Sequence, residues 1–229
     1  MDIIITGAGK GIGFELVRCF TKDEANRVLA VSRNVAALDT DDFAKSKNLF
    51  LLSTDLTDES SMKQIVSFVE KNHFKPAILI NNAGILVNKS FHALTSDDFD
   101  AMFDVNVKAP FLLVQTLLPF FAANAHIVNI GSMGGYQGSV KFPGLSLYSA
   151  SKGALAILTE SLAAELVDFQ VRCNCLALGA AQTEMLSNAF PGYQAPVSAR
   201  EMAGFIFDFA CNSSKFINGK VIPVSVSTP

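Results

Sequence analysis

Tyr148 and Lys152 stand four residues apart at the head of a segment, Tyr148 to Asp168, whose pattern reads as helix. At that spacing two side chains leave one helix face with their Cβ atoms about 5–6 Å apart. A nearby ammonium favours phenolate over phenol, which should draw the tyrosine from its usual pKa of about 10 toward neutrality. A phenol tuned in that way exchanges a proton with a bound oxygen near pH 7, the chemistry of a general acid or base. Tyr-x-x-x-Lys also occurs on ordinary helices, so the pair gains meaning only from what the chain sets beside it.

A second group is Thr6-Gly7-Ala8-Gly9-Lys10-Gly11-Ile12-Gly13, which follows the apolar run Ile3–Ile5 and opens a helical stretch from Gly11 to Lys22. Glycines there allow a tight turn and close approach of a pyrophosphate, and the helix N-terminus adds unpaired N–H groups and a favourable dipole. A plain strand–helix loop is the alternative, but the strand–turn–helix context is the one a phosphate site requires. Gly7 and Gly11 are separated by three residues, unlike GxGxxG.

The elements that must carry these groups alternate along the chain. Strands are expected at 28–31, 48–53, 77–80, 126–130, 171–176 and 221–226. Helices are expected at 58–71, 96–121 (one or two, with Pro119 near the end), 148–168 and 198–211. Met62, Ile65, Val66 and Val69 show the helical i, i+3, i+4, i+7 pattern. The strands are unbroken apolar runs, as in parallel strands buried on both faces. Such alternation predicts an α/β fold, a parallel sheet flanked by helices on both sides. With neither linker nor repeat, residues 1–229 read as a single domain.

Composition narrows the function. A net charge of −3 leaves no electrostatic footprint for nucleic acid or an anionic membrane. There is no signal-peptide pattern, and no segment reaches the ~18 apolar residues of a membrane span, so a cytoplasmic protein is expected. Cys19, Cys173, Cys175 and Cys211 form no CxxC pair and read as reduced thiols; Cys173 and Cys175 should point the same way from a strand. His73, His92 and His126 have no ligand spacing, so no metal is expected. Most of the 19 phenylalanines should be core.

Three motifs in register make the chain resemble the short-chain dehydrogenase/reductase family. TGxxxGxG is met by Thr6, Gly7, Gly11 and Gly13, NNAG by Asn81-Asn82-Ala83-Gly84, and YxxxK by Tyr148 and Lys152. The likeness runs from Met1 to about Val224. It implies a three-layer doubly wound Rossmann-type sheet of about seven strands, with a nicotinamide dinucleotide across the strands' carboxyl ends. It also implies roles. Tyr148 is the acid/base, and Lys152 holds the nicotinamide ribose while lowering the tyrosine's pKa. Ser132 steadies the substrate oxygen, and Asn106 holds a water in a proton relay. Asn106 also reads as a buried amide bonding backbone, and Ser132 as a strand-end cap. Gly9, Ile12, Asn82, Ala83 and Gly84 belong to the cofactor surface. Asp55 and Leu56 look like the pair at the adenine, and Gly179, Ala181 and Thr183 reach the phosphates and carboxamide.

Users of NAD(H) in the family carry an acid at the end of the second strand. Here Ser32 and Arg33 stand there, with Lys10 in the glycine turn. A serine and two cations suit a 2′-phosphate, which implies NADP(H) in preference to NAD(H). The implied partner is a small carbonyl or alcohol, and the implied assembly a homodimer or homotetramer.

Four stretches depart from the family pattern. The interval from Ser132 to Tyr148 is long, so its 133–147 loop, with Tyr136, Gln137, Gly138, Phe142 and Pro143, should wall the substrate site. The lid region, 180–198, is short and carries Met185, Phe190, Pro191 and Tyr193, which suggests an open, permissive pocket. Leu178 replaces the usual proline before Gly179, which should loosen that turn, and the tail lacks the usual Asp-Gly-Gly. A non-catalytic redox sensor or partner-binding protein is the alternative to an enzyme; the retained Asn106, Ser132, Tyr148 and Lys152 weigh against it.

Overall fold

The structure, a computed structural model, describes residues 1–40, 43 and 46–226. Seven parallel strands form its sheet: β1 (Asp2–Thr6), β2 (Arg27–Ser32), β3 (Leu49–Ser53), β4 (Pro76–Asn81), β5 (His126–Ser132), β6 (Arg172–Leu178) and, after a two-residue pair β7 (Ala181–Gln182) and β8 (Val197–Ser198), the last strand β9 (Val221–Val224). The order is β3-β2-β1-β4-β5-β6-β9. Progress along the chain thus reverses between β1 and β4, the switch point at which such sheets open a crevice at their carboxyl ends.

Strand alternation divides the core. Ile3, Ile5, Val28, Ala30 and Val128 face α1 (Gly11–Thr21), and Met202, Ala203 and Ile206 of α7 (Ala199–Asn212) join them. Ile4, Leu29, Leu79 and Ile127 face the other way, toward α2 (Glu59–Lys71), α4 (Ala109–Leu117) and α5 (Ser146–Glu165). Phe20 and Phe74 are fully buried, whereas Phe91 and Phe216 are exposed. Cys173 and Cys175, both buried, lie two residues apart on β6 as expected, and all four cysteines are free thiols. His126 is buried and lies between the Ala210 carbonyl and Asn174.

Several boundaries differ from the sequence reading. β6 runs two residues beyond Leu176, because Leu178 pairs with both Ser132 and Val224. A proline there would have ended it; instead Gly179 N–H donates to the Val224 carbonyl at 2.8 Å, so the turn is held rather than loose. The expected helix over 96–121 is α3 (Ser96–Phe103), a π turn over Asp104–Lys108, α4, and a short 3₁₀ turn. The whole run Ser96–Phe120 does meet the length and composition of a membrane-crossing helix. Its Met102, Leu113, Val114 and Leu117 are nevertheless buried in the protein's own core. The short helix α6 (Glu184–Ala189) and the β7–β8 pair were not foreseen.

Candidate active site

A cleft of about 570 Å³ follows the carboxyl ends of the strands. Every residue expected from the sequence to bind cofactor or do chemistry lines it except Gly9, Gly13 and Asn106, which lie directly behind its wall.

At the β1 end the surface is backbone. Thr6 Oγ1 accepts from the N–H groups of Asn82 (3.1 Å) and Ala83 (3.0 Å), and Asn82 Nδ2 donates to the carbonyls of Thr6 (3.0 Å) and Gly7 (3.2 Å). These bonds fasten the ends of β1 and β4 to each other across the switch point. A side-chain carbon at Gly13 would sit 2.2 Å from the Gly7 carbonyl oxygen, so only glycine lets the first turn of α1 press against this junction. Lys10, at the head of α1, gives no side-chain cap, and no acid stands in the first turn. The leading N–H groups and the positive end of the helix dipole therefore suit an anion, and the cradle fits a pyrophosphate.

Charges flank this cradle. Lys10 Nζ lies 2.8 Å from Glu184 Oε2 on the lid helix α6, and Arg33 is 3.8 Å from Asp55. Asp55 also accepts from Thr57 through N–H (3.0 Å) and hydroxyl (2.8 Å), which, with Arg33, holds its carboxyl below the usual range. Thr183 caps α6 by accepting from Leu186 N–H at 3.2 Å. The space over Gly11 is closed by its methyl, 3.4 Å from where a side-chain carbon would stand.

Ser132, Tyr148 and Lys152 meet at the β5 end. Lys152 is 4 % exposed, and its Nζ donates to the Ile130 carbonyl at 2.8 Å. Burial pushes this ammonium down from 10.5 to about 8. Tyr148 opens to the cleft yet is enclosed enough that desolvation raises its phenol, opposed by a hydrogen bond with Ser132. The expected depression by Lys152 is therefore corrected: the ammonium is directed at Ile130, and burial decides the sign.

Asn106 is fully buried in the π turn, a distortion common at functional sites. Its Oδ1 accepts from Ile85 N–H (2.9 Å), and its Nδ2 donates to the Ile85 carbonyl (3.0 Å) and Ser151 Oγ (2.9 Å). Ser151 Oγ in turn donates to the Tyr148 carbonyl at 2.8 Å. A carbon built on Gly84 would lie 3.2 Å from Asn106 Oδ1 and 3.3 Å from Lys152 Nζ, so both side chains converge on that backbone. The amide that bonds backbone is thus what the structure displays at Asn106.

The walls of the cleft beyond Tyr148 come from three segments. From the 133–147 loop, Met133, Phe142 and Leu145 face the cleft; Tyr136, Gln137, Gly138 and Pro143 do not. A side-chain carbon at Gly135 would stand 2.5 Å from Gly153 N, so the loop's start lies flat on α5. Lys89 N–H donates to the Gly144 carbonyl (3.1 Å), and Asn88 Nδ2 donates to the Ala189 carbonyl (2.8 Å). The 85–89 segment therefore ties the loop to the lid. In the lid, Met185, Phe190 and Tyr193 face the cleft and Pro191 does not. The lid's base is closed by β7–β8 and by Gln182 Oε1, which accepts from Ala195 N–H at 2.8 Å.

Asn88, Ser151 and Glu184 escaped the sequence reading. Ser151 had a signal, its place one helical turn from Tyr148. Asn88 and Glu184 act across about a hundred residues or more of chain, where no local pattern exists.

A glycine-opened helix facing a crevice at the switch point of a doubly wound parallel sheet defines a dinucleotide-binding α/β protein. The sequence model of the short chain dehydrogenases matches residues 2–194, and the chain belongs to that family of oxidoreductases. It is 27% identical over 238 residues to a 3-oxoacyl-(acyl-carrier-protein) reductase of Thermotoga maritima, covering 96% of this chain and 94% of that one. Among solved structures, a 4-hydroxyisoleucine dehydrogenase complexed with NADH superposes with a TM-score of 0.86 at 26% identity, over 98% of this chain and 96% of the other. ElxO with NADP bound gives 0.83 at 27% identity, over 97% and 96%.

Proposed function

We propose that the protein is an NADP(H)-dependent oxidoreductase that interconverts a small carbonyl and its alcohol, with Tyr148 as general acid/base. The observation that carries this is the meeting of Ser132, Tyr148 and Lys152 at the β5 end of a cleft whose β1 end is an uncapped, glycine-opened helix. The nicotinamide dinucleotide supplies or accepts the hydride when bound. When a bound cofactor delivers its hydride to a carbonyl carbon, Tyr148 would give its proton to the oxygen, so that the alcohol and the oxidised cofactor result. A phenol whose pKa burial has raised is protonated at neutral pH, which suits it to donate. Ser132 Oγ accepts from Gly134 N–H at 3.1 Å and is hydrogen-bonded to Tyr148, so the two hydroxyls stand together where a substrate oxygen would be held. Lys152, which lines the cleft next to this group, would hold the ribose of the cofactor. Asn106 positions the group by joining the Ile85 backbone to Ser151 and, through it, to Tyr148.

Neighbours of this fold carry NADH or NADP. The preference for NADP(H) here is supported by Ser32 and Arg33, which stand where a carboxylate would repel a 2′-phosphate, and by Lys10 beside them. Arg33 is 70% exposed, free to swing from Asp55 to a stronger anion.

One experiment tests the activity. NADPH oxidation is followed against a panel of aldehydes and ketones, with Tyr148→Phe as the comparison. The expected loss in kcat is about 10²–10⁴-fold with cofactor affinity kept; equal rates would remove Tyr148 from the mechanism. Arg33→Asp tests the cofactor. It should weaken NADPH about tenfold or more and spare NADH, and a wild type that binds NADH more tightly would defeat the argument.

A further inference from the structure

Resting on that reading, we infer the substrate class: an uncharged carbonyl compound with an apolar aliphatic or aromatic group, selected against congeners whose tail ends in a carboxylate or phosphate.

Charge is distributed unevenly along the cleft. Among the described residues, the cations lining it are Lys10, Arg33 and Lys152. Lys10 and Arg33 follow β1 and β2, at the end suited to the cofactor's phosphates. Lys152 is buried, with its ammonium on the Ile130 carbonyl. The other end, beyond Tyr148, has walls made by Leu86, Phe142, Leu145, Met185, Phe190 and Tyr193, with no cation among them. Two further lysines stand near the mouth, and both are engaged. Lys89 Nζ holds both oxygens of Asp98 at 2.7 Å, and Lys141 Nζ donates to the Tyr136 carbonyl at 2.6 Å.

A second observation points the same way. At the rim, Phe142 is 53% exposed, Tyr193 48% and Met185 37%, and they belong to two different segments that Asn88 and Lys89 hold together. Apolar side chains grouped at the mouth of a concave site are the lining expected for an apolar ligand. An anionic tail lodged there would lose its water with no counter-ion to replace it. A neutral tail of the same shape would only exchange water for hydrocarbon. Discrimination should therefore lie in substrate binding, with the reacting carbonyl unaffected.

The test uses a pair in which two methylenes insulate the formyl group from the tail: methyl 3-(4-formylphenyl)propanoate and 3-(4-formylphenyl)propanoate, each reduced with NADPH by the wild-type protein. The ester should exceed the acid in kcat/KM by at least about tenfold, with the difference in KM. Met185→Lys and Phe142→Lys each put a cation on one wall, and should narrow that ratio by lowering KM for the acid. A wild type that handles the acid as well as the ester would overturn the substrate class. So would an ester preference that neither lysine variant changes. If neither aldehyde nor a wider carbonyl panel turns over, although NADPH binds, the reductase reading itself falls, a result distinct from either of those.

Discussion

At the end of the cleft under β1, β2 and β4 the backbone itself makes the surface. Thr6 and Asn82 lock two strand ends together, and Gly13 admits α1 to within a distance no side chain would allow. At the end under β5 and β6 the surface is made of side chains on two loops, and what fixes them is a handful of bonds such as Asn88 to Ala189 and Lys89 to Gly144. One end is defined by what cannot fit, the other by what happens to be hydrophobic. A backbone cradle recognises a group that never changes, a pyrophosphate; side chains on loops can be exchanged without disturbing the sheet, so substrate choice is placed where replacement costs least.

The contrast is broken most directly at Gly13. Valine there would force apart the Gly7 carbonyl and the Asn82 amide, 2.2 and 2.6 Å from the new carbon. A loss of at least about 1–3 kcal/mol in stability is expected from the overpacking. Cofactor affinity should fall on the order of 100-fold, since the turn must move. Thermal unfolding and NADPH titration read the two effects. A variant with normal NADPH affinity would mean that the cradle is not rigid.

The corresponding change at the other end is Asn88→Ala. It removes one hydrogen bond between the 85–89 segment and the lid, worth about 1 kcal/mol. The KM for a carbonyl substrate should rise about fivefold while the Kd for NADPH stays the same. A shift in NADPH affinity of equal size would show that the two ends are coupled and that the division drawn above is false.

The same division explains what could be read in advance. Gly7 and Gly13 announce themselves because a side-chain carbon at either would meet backbone within 3 Å, Gly11 because its φ of +57° suits glycine, and the strands because burial on both faces makes them mostly apolar. The π turn at Asp104–Lys108 leaves no comparable mark. The apolar spacing of α3 and α4 continues across it, and only the tertiary bonds of Asn106 to Ile85 and Ser151 justify it. α6 has six residues, too few for a periodicity to emerge. The spacing of Tyr148 and Lys152 gives a shared helix face but not where the ammonium points, which depends on Ile130, a residue of another element. Phe142 and the lid aromatics were legible as wall residues, whereas Tyr136 and Pro191 show that membership in a loop does not decide which side chains face inward.

The smallest expected effect concerns an ion pair that joins the two ends. Lys10 belongs to the glycine turn and Glu184 to the lid, and at 2.8 Å each is the other's partner. Both are largely exposed, so the pair adds little to stability. Its consequence is competition: a 2′-phosphate that draws Lys10 must take it from Glu184, and the carboxylate itself repels the phosphate. Glu184→Gln removes the repulsion and keeps the shape. NADPH should bind about two- to fivefold more tightly, most of all at low salt, because screening weakens exposed charges. NADH, which lacks that phosphate, should bind as before. Fluorescence titration of both cofactors at two ionic strengths separates the cases. An equal gain for both would place Glu184 at the pyrophosphate instead, and no gain for either would mean that Lys10 serves the lid alone and that Arg33 and Ser32 discriminate between the cofactors without it.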